Sequence, residues 1–229
     1  MAVSIVIRLS VGPTDCRGLR IDTLSTRDRH AAELASVRRT NISGILRARN
    51  PGTYNETVAV VNNVTRMLDA RMIAYMAFEL PEEKLGALET ARLLNTRPEL
   101  VYKTIVVTRD RRRQPLLVLV SAVSTVDLRK VATAVGDKKV QLPTEREAEE
   151  MTGMHAGGIS PLALVNRGFR VLIDISAQEH PEVHVSGGQR GLNIKLRVAD
   201  LAQLTNAQYA PISGPASEPD LDGHRRSSP

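Results

Sequence analysis

Residues 102–122 read YKTIVVTRDRRRQPLLVLVSA, and this stretch decides the fold. Two runs rich in β-branched and aliphatic residues flank a basic turn, RDRRR at 109–113. Short apolar runs separated by a polar turn predict a β-hairpin. The segment that follows the second run, DLRKVATAVG at 127–136, predicts a helix opened by Asp127 and stopped by Gly136. A hairpin joined to a helix argues for a mixed sheet rather than a doubly wound parallel one.

The same mixture continues outward. Upstream, ETVAVVNNVTRMLDA (56–70) predicts a helix and MIAYMAFEL (72–80) a strand bounded by Pro81. LGALETARLLNT (85–96) carries Leu85, Leu88 and Ala91 at helical spacing. Downstream, KVQLP (139–143) predicts a short strand. TEREAEEMTG (144–153) predicts a helix, with Thr144 and Glu147 at capping-box spacing. RVLIDIS (170–176), EVHVSGG (182–188) and GLNIKLR (191–197) predict strands, and VADLAQLTN (198–206) a closing helix. The expected fold class is α/β (α+β): one domain over 61–212 with a mixed, curved, barrel-like β-sheet and surrounding helices.

Residues 1–60 look different. They are rich in arginine, hold no lysine, and are broken by VGPTDCRG (11–18) and RARNPGTYN (47–55). TRDRHAAELASVRR (26–39) predicts a short helix with Thr26 or Asp28 near its cap. The segment is expected to be poorly ordered or an atypical extension. Residues 213–229, rich in Ser, Pro, Gly and charge, read as a disordered tail.

Composition excludes several function classes. Hydrophobic residues make up 42% of the 229, enough for a core. Aromatic residues make up only 3%, with no tryptophan, which argues against a binder that stacks bases on rings. The net charge of +6 permits an anionic partner such as RNA. The single cysteine, Cys16, excludes an intramolecular disulfide and a cysteine-based zinc site. No stretch reaches the roughly 18 apolar residues that span a bilayer. The apolar start MAVSIVI lacks a preceding basic region, so no signal peptide is expected.

Three stretches carry the candidate chemistry. Lys103 sits at the entry to an apolar strand. It reads either as a cation at a cleft rim, facing phosphate, carbonyl or ribose oxygens, or as a strand-edge lysine that blunts aggregation. TGMHAGGISPLAL (152–164) sets two glycines against a Ser-Pro pair. Its N–H groups can face a developing oxyanion, or the loop is a structural turn. VSGGQRGLN (185–193) lacks the Gly-Lys-Ser/Thr of a Walker loop and the spacing of a dinucleotide fingerprint. Arg190 there can contact phosphate, or the stretch is a glycine-rich hairpin. Asp174 reads as a buried site carboxylate or, preferably, a turn or capping residue. His155, His180 and His184 show no metal-ligand spacing, and His184 reads as a strand surface residue. RDRRR either touches an RNA backbone or is a solvated hairpin tip.

VYKTIVV, TGMHAGGISPLAL and VSGGQRGLNIKL, in that order and with DLRKVATAVGDKKVQLP between the first two, together resemble the YbaK/EbsC family. The closer likeness is to its Cys-tRNA(Pro) deacylase branch, within the prolyl-tRNA editing superfamily. The resemblance spans roughly residues 60–212. It implies a cytosolic trans-editing enzyme that removes a mischarged amino acid, most of all cysteine, from the 3′ end of aminoacyl-tRNA. It implies no metal and no cofactor, and prolyl-tRNA synthetase as a partner. Lys103, Gly157 and Gly158 would act in catalysis, the glycine N–H groups on the ester carbonyl and Lys103 on the terminal adenosine and ester oxygens. Phe78, Thr104, Ile159, Ser160, Pro161, Asp174, Ser186, Gly187, Gly188, Arg190 and Asn193 would surround the substrate. The substrate thiol itself would attack the ester. Related sequences commonly carry an acidic residue where Asn193 stands and a tyrosine where Phe78 stands. Their motif reads Pro-Leu-Gly or Pro-Phe-Gly where this chain has Ala163. These departures imply an altered substrate choice. Alanine is the alternative amino acid removed. A catalytically silent tRNA- or synthetase-binding module and a nucleotide-binding regulator are the rival classes.

Overall fold

The computed structural model describes residues 4–8, 61–110 and 113–215. The strands are β1 (Ser4–Arg8), β2 (Tyr75–Glu79), β3 (Tyr102–Val107), β4 (Leu116–Ser121), β5 (Ser124–Val126), β6 (Arg170–Asp174), β7 (Glu182–Ser186), β8 (Leu192–Arg197), β9 (Gln208–Ala210) and β10 (Ser213–Pro215). The helices are α1 (Asn63–Ala70), α2 (Ala87–Leu93), α3 (Leu128–Val135), α4 (Glu145–Thr152) and α5 (Val198–Thr205). Among the described residues no helix is long and apolar enough to cross a membrane.

The hairpin expected at 102–122 forms, with β3 antiparallel to β4 and Lys103 opposite Val120. β4 then pairs in parallel with β6, and β6 in parallel with β9. The second sheet runs β1-β2-β8-β7 and is antiparallel throughout. Every residue of β4 is buried. Leu117 and Leu119 enter one core, while Leu116, Val118 and Val120 enter another. This is the period-2 alternation of a strand covered on both faces, so its sequence reads as one continuous apolar run. The first core gathers residues of both sheets, including Ile173, Val183, Val185, Ile194 and Leu196. The second lies under α3, through Val131, Ala132 and Val135. Each buried Leu or Ile contributes about 1.5–3 kcal/mol of transfer free energy.

The sheets do not close into a barrel. A single parallel bridge, Val101 to His184, joins the start of β3 to β7. At the far end of β3, Thr108 bridges Gln141. That bridge is all that forms of the strand expected at 139–143. Pro143 offers no N–H to extend the ladder.

Local capping explains the helix ends. Asn62 caps α1, accepting from Val64 and Thr65, so the described helix starts later than the run from 56 suggests. Residues 56–60 and the helix expected at 26–39 lie outside the described residues. Thr144 and Glu147 form the expected capping box on α4. Asp127 caps α3, and Gly136 ends it in the left-handed region.

Within 1–60, Ser4–Arg8 forms a strand that covers the edge of β2. At the other end, Ser213–Pro215 pairs with β5, so order continues three residues past 212. The basic turn is anchored rather than simply solvated. Arg109 is buried in an ion pair with Asp137, which also takes Arg113. The Arg109 hydrogen bond holds the Asp137 carboxyl below the usual range, outweighing its desolvation.

Asp174 is a structural anchor and not a substrate contact. It is 2% exposed. Its Oδ1 accepts from Ser176 N at 3.1 Å, and its Oδ2 from Ile212 N at 3.0 Å and Ser213 N at 2.9 Å. These bonds tie β10, a three-residue strand, to the end of β6. Burial works to raise the Asp174 pKa, but the hydrogen bonds from Ser176, Ile212 and Ser213 outweigh it and hold the pKa below the ordinary value. Asp174→Ala, which leaves the buried Ile212 N–H without its acceptor, is expected to cost about 1–3 kcal/mol in urea unfolding, and Asp174→Asn less. A depressed folded pKa confers stability above the unfolded pKa and loses it as pH falls through the folded value. The wild-type lead over Asp174→Asn should therefore be present at neutral pH and shrink in acid.

Candidate active site

The first glycine loop follows α4, which Gly153 ends in the left-handed region. Hydrogen bonds fix the loop from several sides. Glu149 Oε1 accepts from Ala156 N at 2.7 Å, and Arg190 Nε donates to Ala156 O at 2.8 Å. Ser186 Oγ donates to Gly158 O at 3.0 Å. Inside the loop, Gly158 N donates to His155 O at 2.9 Å. Ser160 Oγ accepts from Leu162 N at 3.2 Å. The Ala156 hydrogen bond holds the Glu149 carboxyl below its ordinary pKa, helped by His155.

These bonds sort the expected loop residues. The Gly158 N–H is spent within the loop, which leaves Gly157 as the glycine of the pair whose N–H is uncommitted. Gly157 is exposed and has φ +87°, and among the described residues its N–H meets no acceptor. Gly158 is a glycine for close approach. A Cβ there would lie 2.9 Å from Arg190 N and 3.0 Å from Gln189 C. Ser160 is fully buried and Pro161 is buried with it, so both shape the loop instead of touching a ligand.

The second glycine loop is the surface that the first one meets. Gly188 and Gly191 have φ of +94° and +78°. Gly187 N donates to Leu192 O at 2.8 Å, and Asn62 Nδ2 donates to Gly187 O at 2.9 Å. Gly187 has no room for a Cβ, which would lie 2.4 Å from Leu192 Cγ. The Arg190 Nε donates to the Ala156 carbonyl, so Arg190 pins the two loops together, and its half-exposed side chain lines a pocket beside them rather than the cleft along β3.

Beside the loops lies a cleft of about 440 Å³. It opens along the edge of β3, where the two sheets part beyond the Val101–His184 bridge. Lys103, Thr104, Gly157, Ile159, Ser186 and Asn193 all line it. Two residues past the bridge on each strand stand Lys103 and Ser186, and Ser186 pairs in register with Asn193. Three adjacent strands thus bring these polar groups to one cleft. The Thr104 Oγ1 is buried with no hydrogen-bond partner among the described residues. The segment from Leu80 to Thr90 contributes another wall, and at the rim Lys84 pairs with Glu145.

Phe78, Asp174, Gly187, Gly188 and Arg190 do not line the cleft. Phe78 is buried, opposite Asn193 in the β2–β8 ladder. The sequence reading missed His184, which is not a surface residue. It is 3% exposed, and its Nδ1 lies 2.9 Å from Asn193 Oδ1. The signal was present: His184 and Ser186 share a strand face. Burial by Phe78 was not legible.

A family profile for the aminoacyl-tRNA editing domain matches residues 82–204, which contain most of this cleft. The chain belongs to this family. It is 31% identical over 153 residues to an Enterococcus faecalis protein provisionally named Cys-tRNA(Pro)/Cys-tRNA(Cys) deacylase EbsC, covering 66% of this chain and 92% of that one. A crystal structure provisionally assigned as a trans-editing enzyme for prolyl tRNA synthetase is 25% identical. It superposes with a TM-score of 0.56, over 68% of this chain and 99% of that one. The crystal structure of a hypothetical protein gives a TM-score of 0.61 at 22% identity, over 67% and 100% of the two chains, and shares the fold.

The contact between the loops is directly testable. Gly158→Ala should destabilise the protein by about 1–3 kcal/mol in thermal or urea unfolding, because the added methyl meets backbone that cannot swing away. Gly214→Ala, whose Cβ would meet only Asp127 Cβ at 3.9 Å, should stay within about 0.5 kcal/mol of wild type.

Proposed function

We propose that the chain is a trans-editing aminoacyl-tRNA deacylase, acting in the cytosol on a mischarged tRNA and preferring the cysteinyl ester of tRNA(Pro). The observation that carries this reading is the cleft lined together by Lys103, Gly157 and Asn193. The name of the Enterococcus relative supports the cysteinyl substrate, and the trans-editing neighbour supports work alongside prolyl-tRNA synthetase.

The chemistry follows from what lines the cleft. Among the described lining residues there is no cysteine and no histidine. The Ser186 hydroxyl already donates to Gly158 O. With no cysteine or histidine among the described residues that line the cleft and the Ser186 hydroxyl engaged, the nucleophile in this reading is assigned to the substrate. The cysteinyl sulfur attacks the ester carbonyl carbon as the bond from that carbon to the ribose oxygen breaks. The thiol proton ends on the departing ribose hydroxyl, and a cyclic thioester leaves for hydrolysis in water. The protein holds sulfur and carbonyl in attacking geometry, which supplies several kcal/mol of the barrier. Gly157 N–H faces the developing oxyanion. Lys103 fixes the terminal adenosine and ester oxygens as a compact cation. No step uses a metal or a cofactor.

Deacylation time courses on Cys-, Ser- and Ala-tRNA(Pro) test this. Cys-tRNA(Pro) should be cleared fastest. Ser-tRNA(Pro), nearly isosteric but without the thiol, should be slower by about a hundredfold or more, the scale of a lost well-placed reacting group. Lys103→Ala should lose most of the wild-type rate while unfolding normally. Equal rates on Cys- and Ala-tRNA(Pro) would replace the thiol route by hydrolysis of small aminoacyl esters. No cleavage, even with prolyl-tRNA synthetase present, would leave a silent tRNA-binding module.

A further inference from the structure

His184 has no part in the chemistry above, yet it is one of the few buried polar side chains near the cleft. Its ring lies tilted against Phe78, with centroids 5.3 Å apart and planes at 49°. Its Nδ1 faces Asn193 Oδ1 at 2.9 Å. An amide oxygen can only accept, so Nδ1 carries the ring proton. Burial pushes the His184 pKa down; the Asn193 bond opposes this, Lys195 adds to it and Glu182 opposes it, leaving the net shift downward. With Oδ1 as the facing atom, the contact selects the Nδ1–H tautomer, and the downward shift favours the neutral ring.

That tautomer determines what Asn193 offers. An asparagine amide has an acceptor end and a donor end, exchanged by a half-turn of its outer torsion. With Oδ1 held by His184, the NH2 end is the one left over. Asn193 lines the cleft, and among the described residues its Nδ2 donates to no protein acceptor. The cleft therefore receives a neutral hydrogen-bond donor at this position, close to the cationic Lys103. A donor there suits an oxygen. It does not suit the ammonium of an aminoacyl group, which an exposed Oδ1 or a carboxylate would attract.

We propose that Asn193 is a specificity-determining residue that donates to an acceptor oxygen of the aminoacyl-ribose end, and that His184 is the positioning residue that holds its amide in that orientation. The proposal rests on the deacylase reading for the identity of the ligand. The orientation of the amide does not depend on that reading.

Two substitutions separate positioning from packing. In His184→Asn, the new Nδ2 stands the same number of bonds from the backbone as the imidazole Nδ1, so the donor is kept while ring volume is lost. In His184→Leu, an apolar side chain fills more of the space but the donor is gone. A packing role predicts that activity follows stability, with Leu at or above Asn. The proposal predicts the reverse for activity. His184→Asn should stay within about threefold of wild-type kcat/KM, and His184→Leu should fall about tenfold, the scale of one hydrogen bond. The loss in His184→Leu should match that of Asn193→Ala, and the double variant should be no worse than either single one. Independently, long-range proton–nitrogen NMR of the wild-type chain without substrate should find a neutral His184 protonated at Nδ1. A ring protonated at Nε2 would overturn the proposal, as would activities that track melting temperature or losses that add. If wild type cleaves no aminoacyl-tRNA, the substrate contact falls with the functional reading. The tautomer still decides whether His184 holds the amide.

Discussion

The backbone of Gly158 packs against the backbone of Gln189 and Arg190 with no room for a methyl group between them. Much else in the site depends on that contact. It lets Arg190 reach the Ala156 carbonyl and Ser186 reach the Gly158 carbonyl. It also brings the end of α4 and the β7–β8 turn, far apart in sequence, to one side of the cleft. A side chain at Gly158 would push the loops apart and leave the four buried or half-buried groups of these two hydrogen bonds to find water instead. The tolerance is that of close-packed interiors, where a single methylene is felt.

The cleft exists because the sheets fail to merge. One bridge at Val101–His184 holds them, and past it β3 runs on as an edge strand until Thr108 meets Gln141. Between those two points the edge of β3 borders a recess rather than another strand. Exposed sheet edges are usually a liability. Here the edge is enclosed by the segment following β2 and by the first glycine loop, so it is sheltered from other chains and open to a small ligand. The polar groups of β3, β7 and β8 reach that space because residues in register share a face.

The fold was largely legible in the sequence, because hairpin, capping and apolar-run signals act locally. Asp127, Gly136, Thr144 and Glu147 did in the structure what their spacing implied. Three-residue strands such as β5, β9 and β10 were not legible, since they owe their existence to partners distant in sequence, Asp174 among them. The site was legible in its membership more than in its roles. Lys103, Gly157, Ile159, Ser186 and Asn193, singled out along the sequence, all line the cleft. Ser160, Pro161 and Gly158 turned inward instead, because a glycine-rich loop can satisfy its own polar groups as readily as it can bind a ligand. His184 was misread because its burial comes from Phe78 across the sheet and from the bridge to Val101, neither visible along the strand itself.

The restraints on the cleft differ in how they answer to ionic strength. The anchors inside the glycine loops are short hydrogen bonds between mostly sheltered partners. The Lys84–Glu145 tie at the rim joins two side chains that are each more than half exposed. Dissolved ions screen such a pair over about 10 Å at 0.1 M salt, and barely touch the buried contacts. Raising the salt therefore loosens the mouth before it disturbs the floor. A polyanion arriving at the rim acts in the same direction, since its phosphates compete with Glu145 for Lys84.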